Sequence, residues 1–150
     1  MASYKTHSIF NVFLALPLLI MGIYFYLHPT HSQLLAFIIT FIYTTLFMSP
    51  DMDLAYKIKW YSLRGIFSLP FRSYSRVFKH RGVSHNLLLG SITRILWLSL
   101  FIFLTFYACN WALSKESLLT NYTLYKQELL YGFCGIWLAD SAHILLDKLS

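Results

Sequence analysis

Four apolar stretches follow one another in this chain, and they constrain its fold more than any other feature. They cover residues 9–27, 34–48, 87–113 and 129–146. A helix needs about 17 to 25 residues to cross a bilayer, and each stretch reaches or approaches that length. Since the hydrocarbon core offers no water to bond with backbone groups, such stretches must be helical there. The pattern predicts an all-α fold, specifically a four-helix integral membrane bundle.

The composition supports a membrane protein over a soluble one. The mean hydropathy is +0.57 and only 12% of residues are charged, whereas soluble domains carry about 25%. Two other interpretations stay open. The first stretch can be a secretory signal with Lys5 as its basic flank, although it is longer than the usual apolar region and lacks a small-residue cleavage site. The helices can also be buried in a soluble all-α oligomer. We predict one domain over residues 1–150.

Basic residues predict the orientation of the chain. The connection 28–33 carries no Lys or Arg, and the connection 114–128 carries only Lys115 and Lys126. The long connection between the second and third stretches carries Lys57, Lys59, Arg64, Arg72, Arg76, Lys79 and Arg81. The positive-inside rule therefore predicts that residues 49–86 and both termini are cytoplasmic.

The side chains that bind metals collect at the predicted cytoplasmic ends of the helices. All the aspartates and four of the 6 histidines fall there. Helix C-termini carry partial negative charge, so aspartates at such ends are unfavourable unless a cation offsets them. A divalent metal would supply that cation. The other two histidines, His28 and His31, lie at the opposite face and are left out of the predicted site.

Spacing in the last helix strengthens this interpretation. At 100° per residue, Asp140, His143 and Asp147 fall within about 60° of one another, along about 10 Å of one face. Ionisable residues inside an apolar helix suggest function by default. The alternative for Asp140 and His143 is an intramembrane salt bridge, for example to Arg94, which can otherwise extend its charged end toward the interface.

The turn "HRGVSH" combines two kinds of binding group. Gly82 permits a sharp bend, Ser84 suits the N-cap of the third helix, and His80 and His85 flank the bend. Exposed amides at a helix start attract anions, and Arg81 adds a planar donor for phosphate or carboxylate. The turn predicts metal ligands beside an anion pocket.

In order along the chain, "THS", "SPDMDL", "HRGVSHN" and a terminal DxxHxxxD pattern resemble a family of small membrane proteins described as metal-binding proteins of unknown function. This family is similar to bacterial inner-membrane metal-dependent hydrolases, which implies an inner-membrane location. Asn86 stands where the family pattern has Ser, and its amide can still form hydrogen bonds. The resemblance implies a metal site at His7, Asp51, Asp53, His80, His85, Asp140, His143 and Asp147.

The types of the predicted ligands limit which metals the site can bind and indicate which reaction it can catalyse. Mixed imidazole and carboxylate ligands suit zinc first, with manganese or iron as alternatives. Eight candidate residues are more than the four ligands that one zinc ion takes. Either some of these residues hydrogen-bond to the ligands and orient them, or several ions bind. The expected function is a metal-dependent hydrolase acting on an anionic small molecule or lipid, such as a phosphoester or a lipid-linked substrate. Arg81 would hold the anion, and Asp53 or Asp140 would take the proton.

Other functions and partners are compatible with parts of the sequence. A non-catalytic metal-binding scaffold would have a closed coordination shell and would present its basic loop to a partner. Transport is disfavoured because no chain of ionisable residues crosses the predicted helices. The connection over residues 57–81 mixes basic and aromatic residues, which predicts an amphipathic segment on anionic membrane lipid. Nucleic acid is the less favoured polyanion. The pattern predicts no oligomeric state.

Overall fold

The computed structural model describes residues 4–49, 58–77, 86, 89–109 and 114–149. This part of the chain contains helices and no strand, so the all-α prediction is confirmed for it. Three of its helices are long and apolar enough to cross a membrane, while the 17-residue helix is shorter. The helices are α1 (Tyr4–Leu27), α2 (His31–Phe47), α3 (Leu63–Phe67), α4 (Leu69–Val77), α5 (Leu89–Ala108) and α6 (Lys115–Leu149).

The helical hydrogen-bond pattern of α1 changes about one third of the way along the helix. Residues Asn11–Ala15 form a π-helical turn, and Pro17 follows closely. Proline has no N–H to donate within a helix, and local rewinding accommodates that loss. The helix ends at His28, which adopts a left-handed conformation with φ 45°. Thr30 then caps α2, since its side chain accepts from the Gln33 amide while the Gln33 side chain accepts from the Thr30 amide.

Helix α6 begins earlier than the sequence analysis predicted. It runs over 35 residues from Lys115 and bends at Tyr125, where the backbone leaves helical values. Ser114 caps its start by accepting from the Ser117 amide at 3.1 Å. The prediction of a plain connection over 114–128 was wrong because it followed hydropathy alone. A helix satisfies its own backbone groups, so polar residues can continue it beyond the end of an apolar stretch.

Helices α2 and α6 approach closely at small residues. Gly135 faces the α2 backbone, and a Cβ atom placed on it would lie 2.6 Å from the Phe37 carbonyl oxygen. One turn away, a Cβ on Gly132 would lie 3.3 Å from Thr40 Cγ2. Glycines at such positions allow the backbones of two helices to approach closely. A buried core of Leu16, Phe37, Phe41 and Ala139 fills the space beside this contact.

Gly135→Ala is expected to destabilise the protein, because the added methyl meets backbone atoms that cannot rotate away. Overpacking of this kind costs about 1–3 kcal/mol. The free energy of unfolding, measured in detergent micelles, should fall by an amount in that range. Gly22→Ala is the matched control, since nothing lies within 4 Å of a Cβ placed there. Equal stability of the two variants would contradict the close contact of α2 with α6.

The short helices α3 and α4 pack beside the ends of two longer helices. The Tyr43 hydroxyl of α2 donates to the Phe67 carbonyl at 3.3 Å, and Trp97 Nε1 of α5 donates to the Pro70 carbonyl at 2.9 Å. Beneath them, Met48, Phe71 and Tyr74 form a second buried cluster. These contacts fix the described part of the basic connection against α2 and α5.

Candidate metal centre

Three side chains predicted to bind metal meet at one end of the helices. His7 lies on α1, while His143 and Asp147 lie one turn apart on α6. His7 Nε2 is 3.2 Å from Asp147 Oδ1, and His143 Nε2 is 3.6 Å from Asp147 Oδ2. The two imidazole rings stack with their centroids 3.9 Å apart. One potential ligand atom from each residue lies within 4.8 Å of the others, so this metal triad is compact enough to share one ion.

The Asn11 side chain ties α1 to α2 and α6. Asn11 follows His7 by one turn and begins the π-helical turn. Its Nδ2 atom donates to the Ala139 carbonyl of α6 at 3.2 Å and to Thr45 Oγ1 of α2 at 3.3 Å. A π-helical turn changes the direction in which the side chains before and after it point relative to one another. Such turns are frequent at functional sites. Asn11 therefore positions the start of α1 against α6.

The metal triad fits a divalent ion by its donor chemistry and by its burial. His7 and His143 are each 2% exposed, and the Asp147 side chain is 14% exposed. Nδ1 of the buried His7 has no hydrogen-bond partner among the described residues. A buried polar atom without a partner is costly, and coordination to a cation would remove that cost. Two imidazoles and a carboxylate suit zinc, manganese or iron, and three protein ligands are usual in catalytic zinc sites.

Asp140 belongs to a neighbouring network and not to the metal triad. Its Oδ2 atom accepts from Arg94 Nη2 at 2.6 Å and from the Ser91 hydroxyl at 2.5 Å. This is the ion pair with Arg94 that the sequence analysis named as the alternative for the α6 residues. Its Oδ1 atom is buried and has no partner among the described residues. One oxygen of Asp140 thus holds Arg94, while the other stays available to a cation or a proton.

Arg94 is completely buried and does not extend to the interface. Its relative exposure is 0%. Besides Asp140, it donates to the Gly90 carbonyl at 3.0 Å and to the Met48 carbonyl at 2.9 Å. The guanidinium thereby links α5, α6 and the end of α2. Burying an arginine is costly unless its charge is paired and hydrogen-bonded, and here each of its three nitrogens makes a hydrogen bond, one of them to the Asp140 carboxylate.

Five of the predicted site residues lie outside the described part of the chain. The candidates outside the described residues are Asp51, Asp53, His80, Arg81 and His85. The excluded histidines, His28 and His31, are exposed near the junction of α1 and α2. Sequence reasoning missed Asn11 and Ser91, which position the site. The sequence could have indicated Asn11, because a polar amide inside an apolar stretch costs free energy unless it is hydrogen-bonded.

Comparison with known proteins agrees with this geometry. The sequence model of a family described as "Uncharacterized metal-binding protein (DUF2227)" matches residues 2–150. No curated protein and no solved structure matches the chain. The match covers nearly the whole sequence, including the metal triad and the neighbouring Asp140. The chain therefore belongs to the DUF2227 family of uncharacterized metal-binding proteins.

Proposed function

We propose that this protein is a metal-dependent hydrolase of the membrane, built as a four-helix bundle with its metal site at the cytoplasmic helix ends. The observation that carries the proposal is the metal triad of His7, His143 and Asp147, whose ligand atoms gather within 4.8 Å. Three protein ligands leave coordination positions for a substrate or a water molecule, as in catalytic zinc sites.

Exposed apolar side chains support the membrane placement. Phe13 on α1 and Tyr107 on α5 are at least three-quarters exposed, with fractions of 76% and 75%. Soluble monomers rarely expose large contiguous apolar patches, whereas lipid-facing helices do. Together with the basic residues of the connection 49–86, this supports a topology with both termini in the cytoplasm.

Each described site residue has a distinct proposed task. His7, His143 and Asp147 bind the metal, which when bound lowers the pKa of a coordinated water toward about 7 and polarises a phosphoryl oxygen. Arg94 and Ser91 hold Asp140 by its Oδ2 atom. Its Oδ1 atom remains to accept a proton. Arg81 and Asp53 keep their predicted roles as anion ligand and alternative proton acceptor.

An apolar groove on the surface of α1 and α6 favours a lipid-linked phosphoester as the substrate. It lies between α1 and α6 and has a volume of about 320 Å³. Its lining includes Phe10 of α1 and Ala142 and Leu145 of α6, and none of the three residues of the metal triad lines it. An acyl chain of a lipid substrate fits this apolar lining.

The hydrolase proposal is tested by turnover of phosphoester lipids in reconstituted membranes. Zinc-loaded or manganese-loaded protein is expected to release phosphate or a phosphorylated headgroup, and Asp147→Asn is expected to abolish this release. His31→Ala, which changes an exposed histidine away from the metal triad, serves as the control and should keep full activity. Turnover that persists in Asp147→Asn, or that needs no metal, would refute the proposal.

A scaffold role is the second candidate, because the metal triad joins the first helix to the last. His7 and Asp147 are far apart in sequence, and an ion held between them would tie α1 to α6. Removing the metal by a chelator would then lower the unfolding temperature in detergent. A large loss of stability on chelation, without turnover of any lipid phosphoester when the metal is present, would favour the scaffold over the hydrolase.

A further inference from the structure

The short helices α3 and α4 bury one face against the rest of the protein. Their other face is exposed and carries apolar side chains. On α3, Leu63, Ile66 and Phe67 are 75%, 50% and 52% exposed and occur at helical spacing, so they share a face. The exposed apolar members of this surface, named here the α3–α4 outer face, are Trp60, Tyr61, Leu63, Ile66, Phe67, Leu69 and Val77.

The contacts of α3 and α4 locate the α3–α4 outer face at the level of the helix ends. Tyr43, which contacts Phe67, lies four residues before the end of α2. On α5, Thr93 contacts Tyr74 near the beginning of the helix. At the start of α1, the Arg64 guanidinium lies 3.3 Å above the centroid of the Tyr4 ring. Since Tyr4 is one turn from His7, the outer face flanks the end of the molecule that carries the metal triad.

The charge of this segment complements an anionic surface. Residues 58–77 contain Lys59, Arg64, Arg72 and Arg76 and no acidic residue. Arg72 donates to the Ile58 carbonyl and Arg64 stacks on Tyr4, so both have protein contacts. Lys59 and Arg76 are exposed beside the apolar side chains. Basic residues next to aromatic and aliphatic ones are the pattern of segments that lie in the headgroup region of anionic membranes.

We infer that the α3–α4 outer face is a binding surface for anionic phospholipid. Leu63, Ile66 and Phe67 enter the boundary between headgroups and acyl chains, and Trp60 lies at headgroup level. Lys59 and Arg76 contact lipid phosphates. This inference rests on the membrane placement in the proposed function, but not on the metal or on hydrolysis. The inference specifies anionic phospholipid as the lipid class that the amphipathic segment binds. It also names the residues that contact the lipid.

Nitroxide labels on the full chain test whether this surface lies in lipid. The background is Cys109→Ser/Cys134→Ser, since both cysteines are free, and labels are placed through Ile66→Cys or Leu63→Cys. In phosphatidylcholine vesicles that contain phosphatidylglycerol, we expect the labels to be more accessible to oxygen than to a water-soluble nickel complex. A label at Ile102→Cys, in the apolar C-terminal half of α5, reports whether the chain is in the membrane at all.

The outcomes of the labelling experiment separate the two proposals. Labels in water at positions 63 and 66, with Ile102→Cys in lipid, would overturn the lipid surface alone. Labels in water at all three positions would overturn the membrane placement as well. Dipolar broadening between labels on two copies would show that a second chain covers the face, and this would also overturn the inference.

Charge variants test the preference for anionic lipid. The bound ratio of phosphatidylglycerol to phosphatidylcholine is measured by native mass spectrometry in equimolar mixed micelles. Lys59→Gln and Arg76→Gln are each expected to lower this ratio about fivefold, the effect of one basic residue near an anionic surface. Lys126→Gln makes the same charge change at an exposed position of α6 and should leave the ratio unchanged. Equal ratios in the wild-type protein and all three variants would overturn the lipid preference.

Discussion

Purified His143→Ala protein is expected to lose its bound metal, whereas the wild-type protein carries about one equivalent or more of zinc, manganese or iron. His143 contributes one of the ligand atoms of the metal triad and stacks on His7. Changes to groups that merely support metal ligands cost about 10- to 100-fold in affinity, and the loss of a direct ligand should cost at least as much. Elemental mass spectrometry on protein purified in detergent without chelator measures the metal.

Two further variants serve as comparisons in the measurement of bound metal. His31→Ala removes an exposed histidine at the start of α2 and should retain the full metal content. Asp140→Asn should retain more metal than Asp147→Asn, because Asp140 already holds Arg94 and Ser91 through one oxygen. Folded wild-type protein that binds no metal, even after zinc or manganese is added, would rule out the centre.

The second large effect concerns the buried ion pair. Arg94→Met should destabilise the protein by about 3–5 kcal/mol, because it leaves the buried Asp140 carboxylate without its positive partner. The variant also removes the donor to the Met48 carbonyl. The free energy of unfolding is measured in detergent micelles by chemical denaturation.

A double variant separates the charge from the packing at this site. Arg94→Met/Asp140→Asn removes both charges, so we expect it to be more stable than Arg94→Met alone. Leu145→Met, a conservative change at a partly exposed position of α6, supplies the baseline for the assay. If Arg94→Met were as stable as this baseline variant, the ion pair would have no structural role in the folded protein.

Much of the local structure follows from short-range properties of the chain. Long apolar stretches with few charges predict helices, and α1, α2, α5 and α6 lie over the predicted stretches. The helix boundaries were less predictable. The start of α6 at Lys115 depends on capping by Ser114 and on polar residues that hydropathy alone does not assign to a helix.

The candidate site was predicted in part. His7, His143 and Asp147 were all identified from residue type and position, and they form one cluster. Asp140 was predicted to be a metal ligand, with a salt bridge to Arg94 as the alternative, and the structure shows the salt bridge. Helical spacing places Asp140 on the same face as His143, but it cannot state which side chain of another helix faces each residue.

By itself, the sequence determined the helical fold, the line of potential ligands along α6, and the concentration of histidine and aspartate near the helix ends. Only the tertiary structure decided that Asp147 meets His7 while Asp140 meets Arg94. The physical reason is that spacing within a helix is set by local backbone geometry, whereas the rotation and offset of neighbouring helices are set by packing. Here the close contact at Gly135 and the hydrogen bonds of Asn11 set that packing.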